Sequence, residues 1–226
     1  MKVLRLEEPR ALEHAIHTLQ HGGTVAFPTD TVYGIGASLA APDALRRIFE
    51  LKGRDRRRPL PVLLSSPSAM AVVSDHVDPR LLELASEFWP GALTVAVPAR
   101  AGLPAEVVAG DGTVGVRIPD HSIALTLAQR VGGALAVTSA NLSGSPPAVK
   151  PDDIVPELAA GLDLVLDGGI ARLGKASSVV ALQGDTIAII REEAVAAAAI
   201  ESAWQGILAR SQVAAIGKDP SMEAGR

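Results

Sequence analysis

Between residues 52 and 58 the chain places five cations, Lys52, Arg54, Arg56, Arg57 and Arg58, in a protein of formal net charge −4. A solvated helix face mixes signs at i,i+4 spacing. Here Lys52 closes an apolar helical pattern, Gly53 breaks it and Pro59 opens an apolar run. The cations are therefore packed into a connection between two ordered elements. Such a loop repels itself unless solvent or an anion offsets the charge. Taken alone it reads either as a solvated basic loop or as an anion site.

Three further stretches have chemistry that suits an anion or nucleotide. Thr29-Asp30-Thr31-Val32-Tyr33-Gly34 sets two hydroxyls, a carboxylate and a phenol directly after a strand, and an Asx- or ST-type turn would use the same residues. In Thr113-Val-Gly-Val-Arg117-Ile118, Thr113 and Arg117 lie four apart and share one face if the segment is a strand, with Gly115 clearing space between them, and an arginine on a solvated strand face would read the same. Ser139-Ala140-Asn141 offers a hydroxyl and an amide to a base, ribose or phosphate, or caps the next segment of chain. No GxxxxGK[ST] is present and no GxGxxG opens a helix, so a nucleotide would be held by side chains and by polar loops at strand ends.

Periodicity supplies the secondary structure around these residues. Leu12, Ile16 and Leu19 recur at helical spacing before Gly22-Gly23, and residues 24–27 read as a buried strand. The segment 29–36 reads as a polar, glycine-rich loop. Pro42-Asp43 opens a helix with Leu45, Ile48, Phe49 and Lys52 near one face, and residues 60–64 form a strand. Asp78-Pro79 starts a helix that Trp89-Pro90-Gly91 stops. Strands are expected over 93–97, 113–118, 134–137 and 162–166, with helices over 121–130 and 151–160, and a second polar loop over 138–144. Residues 177–182 and 186–190 form a hairpin across Gly184-Asp185. An Ala-rich helix spans 192–210, its stripe Ile200, Trp204, Ile207 and Leu208. The pattern predicts one α/β domain on a twisted, open mixed sheet with flanking helices.

Composition narrows the chemistry. The 226 residues are 48% apolar and 20% charged, enough for a sizeable core and incompatible with global disorder. With no cysteine, disulfides, thiolate metal sites and cysteine nucleophiles are all excluded. No apolar run reaches the roughly 18 residues of a membrane span, and no signal peptide is legible, so the expectation is a soluble, cytoplasmic protein. His14, His17 and His21 crowd the first helix, but HExxH is absent and a solvated face explains them. There is no GxSxG elbow. What remains is anion positioning and charge neutralisation, the demands of phosphoryl and nucleotidyl transfer.

In order along the chain, FPTDTVYGIG (27–36), KGRDRRRPL (52–60), WPGALTVAVP (89–98), TVGVRIPDH (113–121), TSANLSG (138–144), DGG (167–169), SSVV (177–180) and the arginine of IIRE (189–192) resemble the YrdC/TsaC family, the threonylcarbamoyl-AMP synthases. The pair Lys52-Gly53-Arg54 and Ser139-Ala140-Asn141 matches the family's catalytic signature. The likeness covers about residues 8–195 and is to the short form, a YrdC-like domain alone.

The resemblance implies a large, positive concave cavity and a reaction condensing L-threonine, bicarbonate and ATP into threonylcarbamoyl-adenylate and pyrophosphate. A partner transferase complex then passes the group to tRNA. It implies that Thr31, Tyr33, Arg117 and Thr138 serve the threonine, that Lys52, Arg54, Ser139 and Asn141 are catalytic, and that Thr113, Ser177 and Arg191 join them around ATP. Mg²⁺ would be held mainly through phosphates, with no direct protein ligand. Residues 1–195 would be the catalytic domain, 196–210 a C-terminal helix and 211–226 a loose tail. Three departures stand out: Leu63 or Val62 replaces a histidine of longer members, Gly174-Lys175-Ala176 lacks a common acidic residue, and Ser178 replaces threonine. Two other readings use the same cavity. One is an RNA-binding module in direct contact with RNA, which the six aromatic residues hardly equip for base stacking. The other is a paralogue adenylating a different carbamoylated substrate.

Overall fold

Strand residues of alternating parity face two different cores, and that alternation locates the cleft. The computed structural model describes residues 2–216. Its strands are β1 (Lys2–Arg5), β2 (Val25–Phe27), β3 (Gly34–Ser38), β4 (Val62–Leu64), β5 (Leu93–Pro98), β6 (Thr113–Arg117), β7 (Ala134–Ser139), β8 (Leu164–Asp167), β9 (Ser178–Gln183) and β10 (Thr186–Arg191). They form one mixed sheet in the order β1-β8-β2-β3-β7-β4-β6-β5-β9-β10. The helices are α1 (Ala11–Gln20), α2 (Pro42–Lys52), α3 (Met70–Val73), α4 (Pro79–Phe88), α5 (Ser122–Arg130), α6 (Pro156–Ala160) and α7 (Ala197–Ile216).

On one face Ile35, Val62, Val95, Val116, Ala136 and Val180 pack with residues of α2, α3, α4, α6 and α7. On the other, Val25, Phe27, Leu63, Leu135, Val137 and Leu164 pack only with α1 and α5. Those two helices cover β2, β8, β7 and β4. The same face over β6, β5 and β9 carries no helix from that core, and its residues Thr94, Ala96, Gly115, Arg117, Val179 and Ala181 line an open cleft. This extends the expected site, placed at strand ends, onto the bare face of the sheet.

Four local expectations are corrected. Residues 34–38 are a strand, not loop, pairing β2 on one side and β7 on the other. Glycine permits it: a Cβ at Gly34 would lie 2.6 Å from Val137 Cγ1, and one at Gly36 would lie 2.9 Å from Phe27 Cε1. Thr138 and Ser139 belong to β7 rather than to the following loop, because the ladder with β3 runs to Gly34–Ser139. The helix expected over 151–160 is a 3-10 turn, Pro151–Asp153, followed by α6, since Pro156 lacks an N–H and holds Val155 extended at ψ 144. The helix expected from 192 begins at Ala197. The Ser178 hydroxyl accepts the N–H groups of Glu193 and Val195, holding that segment out of helix, and the Glu192 carboxylate accepts the Ala197 N–H at 2.8 Å. Of the expected tail, residues 211–216 continue α7 and 217–226 lie outside the described residues. Strand β1 carried no legible signal in its charged, exposed sequence. No helix among the described residues is long and apolar enough to cross a membrane.

Candidate active site

The cleft has a volume of about 610 Å³, and all eleven residues singled out from the sequence line it: Thr31, Tyr33, Lys52, Arg54, Thr113, Arg117, Thr138, Ser139, Asn141, Ser177 and Arg191. It also takes in Arg58 and Lys175. The lining therefore holds six cations, Lys52, Arg54, Arg58, Arg117, Lys175 and Arg191, against two carboxylates, Asp111 and Glu193.

Helix α2 delivers Lys52 on the same buried side as Leu45, Ile48 and Phe49, and left-handed Gly53 then turns the chain into the basic loop. Nζ donates to the Ser139 carbonyl at 2.5 Å, to the Asn141 carbonyl and to Asn141 Oδ1 at 3.2 Å, which occupies its three hydrogens. Ser139 Oγ donates to Asn141 Oδ1 at 2.5 Å. Lys52 thus ties α2 to the Ser-Ala-Asn turn. Burial, with Arg54 and Arg58 close by, pulls its pKa down to about 7. Arg54 donates from Nε to the Arg58 carbonyl at 2.8 Å and from Nη2 to the Pro59 carbonyl at 3.0 Å. Burial and then the charges of Arg58 and Arg191 lower it to about 10. Arg191 sits beyond a register shift in β10 and donates to the Ser177 carbonyl at 2.7 Å.

At the far end of β6 the pattern reverses. Arg117 Nη1 lies 3.1 Å from each oxygen of Asp30 and 3.2 Å from the Gly91 carbonyl, and both side chains of the pair are buried. Nη2 donates to Thr31 Oγ1 at 3.1 Å. Thr29 Oγ1 donates to the Val32 carbonyl at 2.6 Å, so the 2.8 Å contact between the two threonine hydroxyls is a bond from Thr31 to Thr29. A directed chain runs from Arg117 through Thr31 to Thr29.

Tyr33 has no hydroxyl hydrogen left for a ligand. It donates to the Gly169 carbonyl at 2.7 Å and accepts from Gly168 N–H at 3.1 Å, and burial pushes it up to about 12. Its hydroxyl therefore fixes the Asp167-Gly-Gly turn that leads into residues 174–177 of the cleft. Thr113 likewise donates its hydroxyl, at 2.7 Å, to Asp111. Thr138 lines the floor beside Val137 and Ser139. Leu63 faces the cleft, whereas Val62 faces the opposite core, which settles which of the two occupies the cleft position.

Sequence reasoning left Asp30 and Asp111 without roles, although both stood in the stretches it singled out or next to them. The Asp-Gly-Thr turn before β6 was the available signal for Asp111; nothing local connects Asp30 to a partner 87 residues away. Of the basic loop, Arg56 and Arg57 are exposed and stand outside the cleft lining, Arg57 pairing with Asp55 at 2.7 Å. His14, His17 and His21 are exposed, and the rings of the last two stack 3.9 Å apart.

The fold is thus an open α/β sheet with a cleft on its uncovered half whose lining carries more positive than negative side chains. The Sua5/YciO/YrdC model, described as telomere recombination, matches residues 17–193, and the chain belongs to that family. It is 35% identical over 192 residues to a Bacillus subtilis protein named threonylcarbamoyl-AMP synthase, covering 84% of this chain and 56% of that one. A Mycobacterium leprae protein named putative threonylcarbamoyl-AMP synthase is 36% identical, with 86% and 88% covered. Pyrococcus abyssi Sua5, solved in complex with L-threonine, superposes with a TM-score of 0.82 at 32% identity, over 89% of this chain and 60% of that one. The chain spans about half the length of the first curated relatives it matches.

Proposed function

We propose that the chain is a threonylcarbamoyl-AMP synthase, condensing L-threonine, bicarbonate and ATP to threonylcarbamoyl-adenylate, pyrophosphate and water. One observation carries this reading beyond family membership. Residues from separate stretches, chosen for that chemistry, line one cleft with an excess of positive charge. The product would go to a tRNA threonylcarbamoyltransferase complex in the cytoplasm.

In this reading the Arg117–Asp30 end takes threonine. Arg117 and Thr31 orient its carboxylate and hydroxyl, and a guanidinium fork matches a carboxylate. Its amine condenses with bicarbonate to give a carbamate and water, and a carbamate oxygen then attacks the α-phosphorus, expelling pyrophosphate. Lys52 and Arg54 stabilise charge accumulating on the phosphoryl oxygens, while Ser139 and Asn141 hold the turn against which the nucleotide lies. Arg191 and Ser177 close the nucleotide side. The carboxylates of the lining are Asp111, which already accepts from Thr113, and Glu193, so Mg²⁺ would be held mainly through the phosphates and water, as this ion commonly is. When bound it would offset the charge of the pyrophosphate.

The test is pyrophosphate release by purified protein given Mg²⁺-ATP and bicarbonate, with and without threonine. Release that depends on threonine is expected; release at the same rate without any amino acid would refute the assignment.

A further inference from the structure

The threonine end is neutral before its substrate arrives. Arg117 and Asp30 form a buried pair whose charges cancel. A carboxylate that takes the remaining Arg117 donors leaves a net negative charge in a buried place, which is costly unless something offsets it. The charge grows as the reaction proceeds, because the amine attacks bicarbonate only as the neutral base and the carbamate it forms is a second anion.

A neutral imidazole stands beside that pair. His121 follows Arg117 by four residues and precedes α5, its carbonyl accepting the Leu125 N–H at 3.0 Å. The ring is outside the cleft lining, and Nδ1 is buried with no hydrogen-bond partner. Three charged groups act on it: Asp30 from the turn between β2 and β3, Asp120 from its own turn, and Arg172 from the segment after β8. Asp120 and Arg172 pair with each other at 2.6 Å. Leu173, next to Arg172, donates its N–H to the Asp30 carbonyl at 2.9 Å and ties that segment to the Asp30 turn. The Asp30 carboxylate accepts from Arg117 Nη1 alone among the described residues, at 3.1 Å to each oxygen, so it has lone pairs to spare. Burial lowers the His121 pKa and Asp30 opposes that, so the ring is neutral at pH 7 in the free protein.

We propose that His121 is a positioning residue of the threonine end, taking up a proton when the substrate carboxylate occupies Arg117 and so keeping Asp30 and the guanidinium aligned. The inference rests on the threonine reading above. The ring acts through Asp30 and makes no bond to substrate. The proton comes from solvent, adds to the lone pair of the unprotonated ring nitrogen and returns to solvent when the product leaves. The pKa is low in the free protein and higher in the complex. Between the two values binding takes up a proton, so affinity for threonine is flat below that window and falls as pH rises through it, by at most about tenfold per pH unit.

The experiment is calorimetric titration of L-threonine into the full chain between about pH 5 and 8 in two buffers of different ionisation enthalpy, with the imidazole signals followed by NMR. Wild type is compared with His121→Gln and with His76→Gln, which alters an exposed histidine. Wild type and His76→Gln should take up part of a proton per threonine bound. His121→Gln should take up none, show a flat pH profile and raise the KM for threonine about fivefold, the low end of coupling between linked sites, with the KM for ATP unchanged. Lys52 titrates in the same window at the other end of the cleft, so the uptake should persist in Lys52→Met. Should His121→Gln misfold, the wild-type NMR titration decides: the four other histidines are exposed, and the signal of lowest midpoint must move to higher pH on adding threonine. Threonine binding without proton uptake, uptake that survives in His121→Gln, or lost stability with an unchanged pH profile would each overturn the proposal and leave the synthase reading standing. No threonine binding by wild type would remove both.

Discussion

The two ends of the cleft treat positive charge in opposite ways. At one, Arg117 is buried against a buried carboxylate, and the neighbouring hydroxyls Thr31 and Thr29 extend the pair into a directed chain. At the other, Lys52, Arg54 and Arg191 are held by backbone carbonyls, and Arg58, whose side chain has no bonded partner among the described residues, adds its charge to the field on all three. A paired charge is neutral without a ligand, so it serves shape and orientation. A carbonyl-held cluster of like charges stays unneutralised, so an anion entering it gains both the contacts and the relief of repulsion. One end is finished by folding and the other is finished by its ligand.

Asp30→Ala tests that contrast most severely. It strands a buried guanidinium, and removing one partner of a buried pair costs about 3–5 kcal/mol. Urea unfolding should show a loss of that size. The double replacement Asp30→Leu with Arg117→Met should recover most of the stability, since a hydrophobic pair of similar volume is often tolerated, while threonine-dependent activity stays lost. A small effect of Asp30→Ala on the midpoint would show that the pair is not what closes this end.

Lys52→Ala probes the opposite end and should divide its effects the other way. It removes a cation set against the transferring phosphoryl group, and the loss of one such group lowers kcat/KM by roughly 10²–10³-fold. The urea midpoint should move much less than in Asp30→Ala, because a charge that burial and two arginines disfavour is removed along with its bonds. Unchanged turnover would mean that the lysine only braces the Ser139–Asn141 turn.

This asymmetry was only half legible in the sequence. Periodicity located α2 and the face that carries Lys52, and alternation in β6 put Thr113, Gly115 and Arg117 on one side with Val114 and Val116 on the other. Both signals are local. The partner of Arg117 was not legible, because Asp30 meets it only through the order of β2, β3, β7, β4 and β6 across the sheet. For the same reason β3 read as loop: its glycines and serine have poor strand propensity, and the pairing with β2 and β7 overrides it. Tyr33 was legible as a cleft residue, but not as one whose hydroxyl is already committed to Gly168 and Gly169. Motif spacing gives the inventory of a site; tertiary pairing decides which donors remain free for a ligand.

The smallest effect should be the most telling about the unneutralised end. Lys52, held near pH 7 by burial and then by Arg54 and Arg58, loses its proton through the physiological range in the ligand-free cleft. An anion favours the ammonium form, so binding takes up a proton wherever the free cleft has lost it. Affinity should then be flat below about pH 6 and fall as pH rises through 7 to 8, by at most about tenfold per pH unit. Sulfate is the suitable probe because it does not itself titrate in that window. Calorimetry in two buffers of different ionisation enthalpy should show proton uptake that grows with pH, and Lys52→Met should show none. Arg58→Gln removes one of the like charges acting on Lys52, so the midpoint of the pH dependence should move upward in that variant. A midpoint that stays put, with sulfate still bound, would mean that the cations act singly and that the cluster has no collective field.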